Sequence, residues 1–383
     1  MVRLLNKMDK TLLLLTLFMF IFGLFMIFDA SSMRSFIDFG VSTKYFTKQL
    51  IILIGSFIVS IFILKKPTSK YKFYIYPIIG ILIFMLIWLL MFGDSTNGSK
   101  SWIYIGKFGL QPSEFAKVVI IIFMGFYYKY NIRKLNTWFY ALFPVGVGAL
   151  ITFLTLLQPD GGTGLILFLI VAALFYISPV TKEIKMKTTM LGMGFIIVAI
   201  FGIMVTGKSP LSSMQQGRFN YLKPCTRYQE DTGYQVCNGY IAINNGKLFS
   251  IDPGNSKQKY LYLPEAYTDF IFPIIVEEMG LITGIVIILI YMIMIYRIIV
   301  IAKSSPDLMN SMICYGVAFY IFLHVTINLV GVLGILPLTG VPLPFLSYGG
   351  SFALTLSIGL AIVQRISIEN YNYMKKRVLK GSN

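Results

Sequence analysis

The chain has 383 residues, of which 56% are hydrophobic and only 13% are charged, a composition too apolar for a soluble domain of this size. It therefore predicts an integral membrane protein. The net charge of +17 does not indicate nucleic-acid binding, because most basic residues flank apolar runs and report membrane topology. The chain has neither a P-loop nor a dinucleotide-binding fingerprint, which argues against an ATP-driven machine.

Ten apolar runs approach or reach the length of about 20 residues that a helix needs to cross a bilayer. They lie near residues 11–28, 49–64, 74–92, 113–128, 139–157, 163–178, 189–206, 270–296, 311–335 and 350–364. An even number of spans places both termini on one side of the membrane. We therefore expect an all-α polytopic fold, with residues 1–383 forming a single transmembrane domain.

Lysine and arginine are distributed unevenly between the two sides of these spans. The side of the termini is rich in basic residues, whereas the short loops of the other side carry Arg34, Lys44, Lys48, Lys100 and Lys107. By the positive-inside rule, both termini are predicted to be cytoplasmic, and the loop 207–268, between the seventh and eighth spans, external. The length of the first span predicts a retained anchor rather than a cleaved signal peptide.

The external loop 93–111 is more than a polar connector. Trp102 and its apolar neighbours alternate with Lys100 and Lys107, a pattern typical of a segment that lies in the membrane interface.

Two helix starts on the external side carry carboxylates. Ser113 is a candidate N-cap with Glu114 in the first turn, and Lys117 follows at i+3, so the two charges can pair on one face. A structural ion pair and a substrate contact are equally compatible with charges at this depth. Asp160 begins the sixth span, where capping is its default role and lining an external cleft is the alternative.

The loop 207–268 is too small and too poor in aliphatic residues to fold as an independent domain. Residues 234–236 and 240–243 are predicted to form two amphipathic elements on the membrane surface. The basic residues of the loop suit either a pyrophosphate-bearing substrate or anionic lipid headgroups. Cys225 and Cys237 lie in the same loop and could pair, but free thiols are favoured because the loop is flexible and the chain carries no other oxidative signature.

Asp269 lies where this polar loop meets the eighth span. Thr268 is a candidate N-cap, and the helix is predicted to begin about at Asp269, with Pro273 in its first turn. The helix dipole favours the ionised carboxylate, whereas flanking phenylalanines and lipid desolvate it. A second capping residue and a general base at the water–lipid boundary are the two interpretations.

Two later spans contain unusual residues. Glu277 projects within roughly 80° of the Asp269 face, and with Glu278 it forms either a functional acidic pair or a fixing point for neighbouring helices. His324 is more consistent with hydrogen-bonded packing than with a proton relay. The proline- and glycine-rich residues 334–351 cannot form a continuous helix, and broken backbone at this depth needs protein or a cavity to satisfy its polar groups.

Four stretches together resemble the SEDS (shape, elongation, division and sporulation) family of peptidoglycan glycosyltransferases, represented by FtsW and RodA. They are GSKSWIYIGKFGLQPSEFAK, QPDGGTG, GNSKQKYLYLPEAYTDFIFPIIVEEMG and LPLTGVPLPFLSYGGS. The resemblance covers nearly the whole chain and is closer to the division branch, FtsW. It implies a ten-helix enzyme of the bacterial cytoplasmic membrane that polymerises lipid II at the outer face, with a class B penicillin-binding protein as partner.

The resemblance also implies site residues. The essential aspartate of the family's TDF motif is Asp269, which would act as general base while undecaprenyl pyrophosphate leaves. The glutamate and lysine of the family's QPSE motif correspond to Glu114 and Lys117. Charge and position in this sequence, rather than the resemblance, suggest as further candidates for substrate binding or the cavity Trp102, Lys100, Asp160, Arg218, Lys259, Glu277 and Ser351. Arg218 and Lys259 would stabilise the leaving pyrophosphate. Ser101 stands where the family usually has an arginine, so Lys100 would take over that charge.

No ligand cluster in the sequence demands a metal, although a divalent cation such as Mg²⁺ or Mn²⁺ bridging pyrophosphate and carboxylate remains compatible. A flippase for lipid-linked precursors is the alternative from another functional class, since carriers also combine intramembrane charges with broken helices. A non-catalytic scaffold for the penicillin-binding protein is the third interpretation.

Overall fold

The computed structural model describes residues 2–93, 99–106, 108–206, 222–229, 231–250 and 256–381. Its helices are α1 (Val2–Leu5), α2 (Lys10–Phe39), α3 (Lys44–Lys65), α4 (Ile75–Phe92), α5 (Pro112–Tyr130), α6 (Trp138–Leu157), α7 (Gly161–Ile177), α8 (Lys182–Thr206), α9 (Asp231–Gly246), α10 (Ile271–Lys303), α11 (Leu308–Val332) and α12 (Gly350–Gly381). Apart from α1 and α9, each contains most of one predicted apolar run. Seven of the described helices are long and apolar enough on their own to cross a membrane. The predicted all-α polytopic membrane fold is confirmed.

The centre of the bundle is formed by α5, α11 and α12, which are mostly buried, whereas α3 is peripheral. Small residues let the central helices approach closely: a Cβ added to Gly316 of α11 would lie 2.6 Å from the Ile121 side chain of α5. The outer helices expose bulky apolar side chains, such as Phe18 and Phe25 of α2. A continuous apolar exterior of this kind is what a lipid-facing bundle presents.

The helical backbone is interrupted at two places near the candidate site. Residues 333–349, called here the Pro/Gly segment, contain turns but no helix, which confirms the predicted break before the last span. The second interruption was not predicted. Gly280 has φ +82° inside α10 and divides that helix into residues 271–279 and 281–303.

The break at Gly280 is filled by the chain that follows α9. The amides of Leu281 and Ile282 donate to the carbonyls of Lys247 and Leu248, at 3.0 and 3.3 Å. A Cβ on Gly280 would lie 2.6 Å from the Leu248 carbonyl oxygen, so this close approach requires glycine. The break therefore leaves few backbone groups unsatisfied at membrane depth.

The described parts of the two polar loops differ from expectation. The predicted elements 234–236 and 240–243 belong to one helix, α9. The prediction of free Cys225 and Cys237 thiols is wrong: the two form a disulfide, because a 3₁₀ turn at Pro224–Arg227 folds back onto α9 and brings their Cα atoms to 5.0 Å.

The predicted interface segment after α4 contains an antiparallel hairpin. Its strands are β1 (Ile103–Ile105) and β2 (Phe108–Leu110), and Ile103 pairs with Leu110.

Candidate functional site

Asp269 lies in a tight turn rather than in a helix. The structure begins α10 at Ile271, two residues after the predicted position and with Pro273 in its first turn. Phe270 is the N-cap and there is no side-chain cap, so the predicted cap by Thr268 is wrong. The carbonyl of Glu265 accepts from the amides of Thr268 and Phe270, both at 3.1 Å, and this closes the turn. Thr268 Oγ1 donates within the turn to Glu265 Oε2 at 2.6 Å and lies 3.2 Å from Asp269 Oδ1. We call residues 265–270 the TDF turn.

The backbone of the TDF turn is held from two directions. Asn328 of α11 donates from Nδ2 to the Asp269 carbonyl at 2.7 Å and to the Val341 carbonyl at 2.8 Å. On the other side, Phe270 is fully buried against α9, where a Cβ on Gly239 would lie 3.2 Å from its ring. The half-buried Asp269 is therefore positioned jointly by α9, α11 and the Pro/Gly segment.

The Pro/Gly segment also contacts the turn directly. Ser347 Oγ donates to the Thr268 carbonyl at 2.5 Å, and the Tyr348 amide donates to the Tyr267 carbonyl at 2.9 Å. Gly340 faces the carboxylate, since a Cβ built there would lie 3.9 Å from Asp269 Oδ2.

The predicted pair of Glu114 and Lys117 is confirmed. Lys117 Nζ lies 2.7 Å from Glu114 Oε1, and both side chains are buried. Lys117 Nζ also lies 3.0 Å from Nε2 of His324. Because Nδ1 of His324 lies 3.2 Å from the Pro342 carbonyl, which can only accept, Nδ1 carries the proton and Nε2 accepts from the ammonium. His324 thus has the hydrogen-bonded packing role expected for it.

Aromatic rings enclose this buried triad. Phe352 stacks on the His324 ring with centroids 4.6 Å apart, and the Lys117 ammonium lies 5.7 Å from the ring centre of Tyr320. At the start of α5, the prediction that Ser113 is the N-cap is wrong. Pro112 begins the helix, Gln111 occupies the cap position without a side-chain cap, and Ser113 is buried.

Two positions one helical turn apart on α11 connect the triad to the TDF turn. His324 and Asn328 lie on the same face of the helix. They bond to consecutive residues of the Pro/Gly segment, Pro342 and Val341. The sequence signal for Asn328 was its polarity within an apolar span, but its two carbonyl partners lie far away in the chain.

Asp160 belongs to a hydrogen-bond network that connects the N-termini of α5, α7 and α12. Its Oδ1 accepts from the Thr163 amide at 3.1 Å, which confirms the capping role, and its Oδ2 accepts from Gln111 Nε2 at 2.7 Å. The Gln111 amide in turn donates to Ser351 Oγ at 2.9 Å, and Ser351 Oγ donates to the Gly109 carbonyl at 3.3 Å. The hairpin is thereby tied to the starts of α5, α7 and α12.

Trp102 and Lys100 lie in the same region. The Trp102 ring is half-buried and packs over Gly109, where a Cβ would lie 3.0 Å from it. Lys100 is exposed.

Lys259 and the acidic pair of α10 form a second cluster of charges. Lys259 Nζ lies 2.8 Å from Asp29 Oδ1 of α2 and 2.7 Å from Glu278 Oε1. Burial alone would lower the pKa of the Lys259 ammonium, but hydrogen bonds to these two carboxylates raise it above its usual value. Glu277 accepts from Asn245 Nδ2 at 2.9 Å, from the Gln258 amide at 3.3 Å and from Ser256 Oγ.

These contacts fasten the loop before the TDF turn to the first half of α10. They agree with the interpretation that Glu277 and Glu278 fix neighbouring elements. Asp29 also belongs to this cluster, and the sequence analysis missed it because its partner Lys259 lies 230 residues away. Arg218 lies outside the described residues. Among the described residues, no group of three or more His, Cys, Asp or Glu side chains is placed to hold a metal ion.

Comparison with known proteins agrees with this architecture. The family model FtsW/RodA/SpoVE, described as cell cycle protein, matches residues 9–372. The probable peptidoglycan glycosyltransferase FtsW of Bacillus subtilis is 31% identical over 382 residues, covering 98% of this chain and 94% of that protein. The protein of the same name from Wigglesworthia glossinidia brevipalpis is 33% identical over 372 residues, covering 94% and 93%.

Two solved structures share the fold. The rod shape determining protein RodA of Thermus thermophilus superposes with a TM-score of 0.67 at 21% identity, covering 95% of this chain and 98% of that one. A chain from a study titled "Structural coordination of polymerization and crosslinking by a peptidoglycan synthase complex" superposes with a TM-score of 0.75, also at 21% identity and with the same coverage.

Proposed function

The chain belongs to the FtsW/RodA/SpoVE family of cell cycle proteins, and we propose that this membrane-embedded peptidoglycan glycosyltransferase uses Asp269 as its general base. The observation that supports the assignment is how the TDF turn is held. Asn328, Ser347 and the buried Phe270 fix the backbone on both sides of Asp269, and the carboxylate is half-buried. A catalytic group needs such a rigid support to keep its geometry.

In the proposed reaction, the sugar 4-hydroxyl of one lipid II molecule attacks the anomeric carbon of another lipid-linked glycan. A C–O bond forms at that carbon, the bond to the pyrophosphate oxygen breaks, and undecaprenyl pyrophosphate leaves as an anion. The hydroxyl proton moves to the Asp269 carboxylate. A positioned base is needed because a neutral hydroxyl is a poor nucleophile, and such a base contributes roughly 10²–10⁴-fold to the rate.

The other carboxylates of the region serve different purposes. Glu114 is paired with Lys117, Glu278 with Lys259, and Asp160 caps α7. We assign them to shaping the cavity around the TDF turn rather than to proton transfer. The Pro/Gly segment contributes irregular backbone directly beside the TDF turn, a feature that at membrane depth is tolerated where protein or a cavity satisfies its polar groups.

For the leaving pyrophosphate, Arg218 and Lys259 remain the proposed cations. Lys259 would reach pyrophosphate only by exchanging Asp29 or Glu278 for it. A divalent cation, Mg²⁺ or Mn²⁺, is proposed as a counter-ion supplied with the substrate; a titration with EDTA followed by each metal tests this requirement.

The orientation and the partner are also proposals. The charge bias supports cytoplasmic termini and an external TDF turn, which matches the outer face where lipid II would be polymerised. A class B penicillin-binding protein is proposed as the partner that crosslinks the product. The supporting observation is the fold shared with a chain from a peptidoglycan synthase complex.

Polymerisation of lipid II by the purified protein with its penicillin-binding partner tests the assignment. Asp269→Asn keeps side-chain volume and hydrogen-bonding capacity but removes basicity, so we expect loss of at least about 100-fold in rate. Asp38→Asn, an exposed carboxylate paired with Arg34, is the matched control and should retain activity. Near-normal glycan synthesis by Asp269→Asn would refute the general-base role, and lipid II flipping without synthesis would favour the transporter interpretation.

A further inference from the structure

A deep groove lies between α2 and α3, away from the TDF turn. The two helices form a hairpin whose closed end is tight: Ser35 Oγ donates to the Val41 carbonyl at 2.6 Å, and the rings of Phe28 and Phe46 lie 5.6 Å apart between centroids. Beyond this contact, toward the end of the bundle that carries the termini, residues of both helices line the groove. The space between them has a volume of about 420 Å³.

The walls of the groove are apolar, and α12 closes it toward the bundle. The walls include Leu13, Leu17 and Phe20 of α2 and Leu53, Phe57 and Ile61 of α3. Ser357, Leu360, Ala361 and Gln364 of α12 line it from the side of the bundle.

Below Lys65, the polar side chains that line the groove are already hydrogen-bonded within the protein. The hydroxyls of Thr16, Ser60 and Ser357 each donate to a carbonyl of their own helix, at 2.7–2.8 Å. Gln364 at the open end exchanges two hydrogen bonds with the Asp9 backbone, both at 3.0 Å. A cavity lined in this way stays dry and takes an apolar ligand.

The open end of the groove is cationic. Lys65 lines it, and the nearest carboxylates are committed: Asp9 is paired with Arg297, and Glu369 with Arg365 at 3.0 Å. A cation beside an apolar groove at a membrane surface favours an alkyl chain that carries an anionic headgroup.

The length of the groove and the side on which it opens together indicate one leaflet. From Leu50 to Leu64 the groove follows α3 for about 21 Å at a rise of about 1.5 Å per residue. That depth suits a chain from one leaflet, about 15 Å of hydrocarbon plus the interface, better than one crossing the whole core of about 30 Å. The groove opens at the end that the charge bias assigns to the cytoplasm, whereas the proposed substrate carries its headgroup on the other side.

We propose that this groove binds one acyl chain of an anionic phospholipid from the cytoplasmic leaflet, with Lys65 contacting its headgroup. The site is separate from the proposed glycosyltransferase chemistry and does not depend on it. A bound lipid would fill the gap between α2 and α3 and hold these two outer helices against α12.

The test is native mass spectrometry of the full-length protein released from nanodiscs containing equal amounts of phosphatidylglycerol and phosphatidylcholine. We expect one retained phosphatidylglycerol per protein. Ser60→Phe, which fills the groove, should abolish retention, and Lys65→Gln should weaken it about fivefold, since one basic side chain near an anionic surface contributes about that factor.

Two matched variants serve as controls. Ile58→Phe changes an exposed residue of the same helix outside the groove, and Lys66→Gln removes the adjacent lysine, whose ammonium lies 5.8 Å from the ring centre of Tyr74. Both should retain the lipid. Equal retention of phosphatidylcholine, full retention by Ser60→Phe, or equal loss in Lys66→Gln and Lys65→Gln would overturn the proposal. If Ser60→Phe fails to fold, the comparison of the two lysine variants decides the outcome.

Discussion

Replacing Glu114 by Ala is expected to destabilise the protein strongly, because it leaves a charged lysine without its carboxylate in the centre of the bundle. The Lys117 side chain is 0% exposed and that of Glu114 is 4% exposed, so solvent cannot replace the lost partner. His324 Nε2, at 3.0 Å, offers an acceptor but no negative charge. Breaking a buried ion pair of this kind costs about 3–5 kcal/mol.

A double-mutant cycle measures how much of this cost comes from the interaction between Glu114 and Lys117. We expect Glu114→Ala and Lys117→Ala each to cost about 3–5 kcal/mol, and the double variant to cost at least about 2 kcal/mol less than their sum, because no charge is then stranded. A charge swap that keeps both partners should be milder than either single change.

The assay is the free energy of unfolding of the purified protein in detergent, measured beside lipid II polymerisation. The exposed i,i+4 pair of Arg34 and Asp38 gives the control cycle, where the coupling should be below about 1 kcal/mol. Coupling in the buried pair no larger than in this surface pair, or normal expression and activity of both single variants, would refute the reasoning.

Asn328→Ala removes the donor that joins Asp269 to the Pro/Gly segment, so the rate of lipid II polymerisation should fall. Asn328→Gln should restore little of that rate, and unchanged rates in both variants would contradict the positioning role. Gly280→Ala places a Cβ 2.6 Å from a backbone oxygen at positive φ, and expression with a melting scan should show clear destabilisation, whereas Gly55→Ala, in open space, should not. The topology predicts that an impermeant thiol reagent on whole cells labels Lys257→Cys and not Lys185→Cys; labelling of the latter would refute the ten-span arrangement.

Patterns confined to one helix were predictable from the sequence. The apolar runs fixed the spans, because crossing lipid imposes a length and a composition on each helix. The Glu114–Lys117 pair and the Asp160 cap follow from spacings of three residues, which a helix converts into contact.

The errors concern contacts between distant parts of the chain. Thr268 was a reasonable cap by type, but the Glu265 carbonyl closes the turn first. Cys225 and Cys237 pair because a 3₁₀ turn folds onto α9, a geometry that no periodicity signals. The link from Lys259 to Asp29 joins α2 to the loop before α10, and only the assembled bundle brings them together.

The break at Gly280 also divides α10 into a short half that carries the acidic residues and a long apolar half that can span the bilayer. The nine residues before it rise about 13.5 Å, less than half the hydrocarbon thickness of about 30 Å, whereas the 23 residues after it rise about 34 Å. Recognition by the insertion machinery can therefore rest on residues 281–303, which contain no acidic residue. We therefore expect the orientation in which the chain is threaded into the bilayer to survive substitution of Glu277 or Glu278, whose contacts with Asn245 and Lys259 form only once the bundle has assembled.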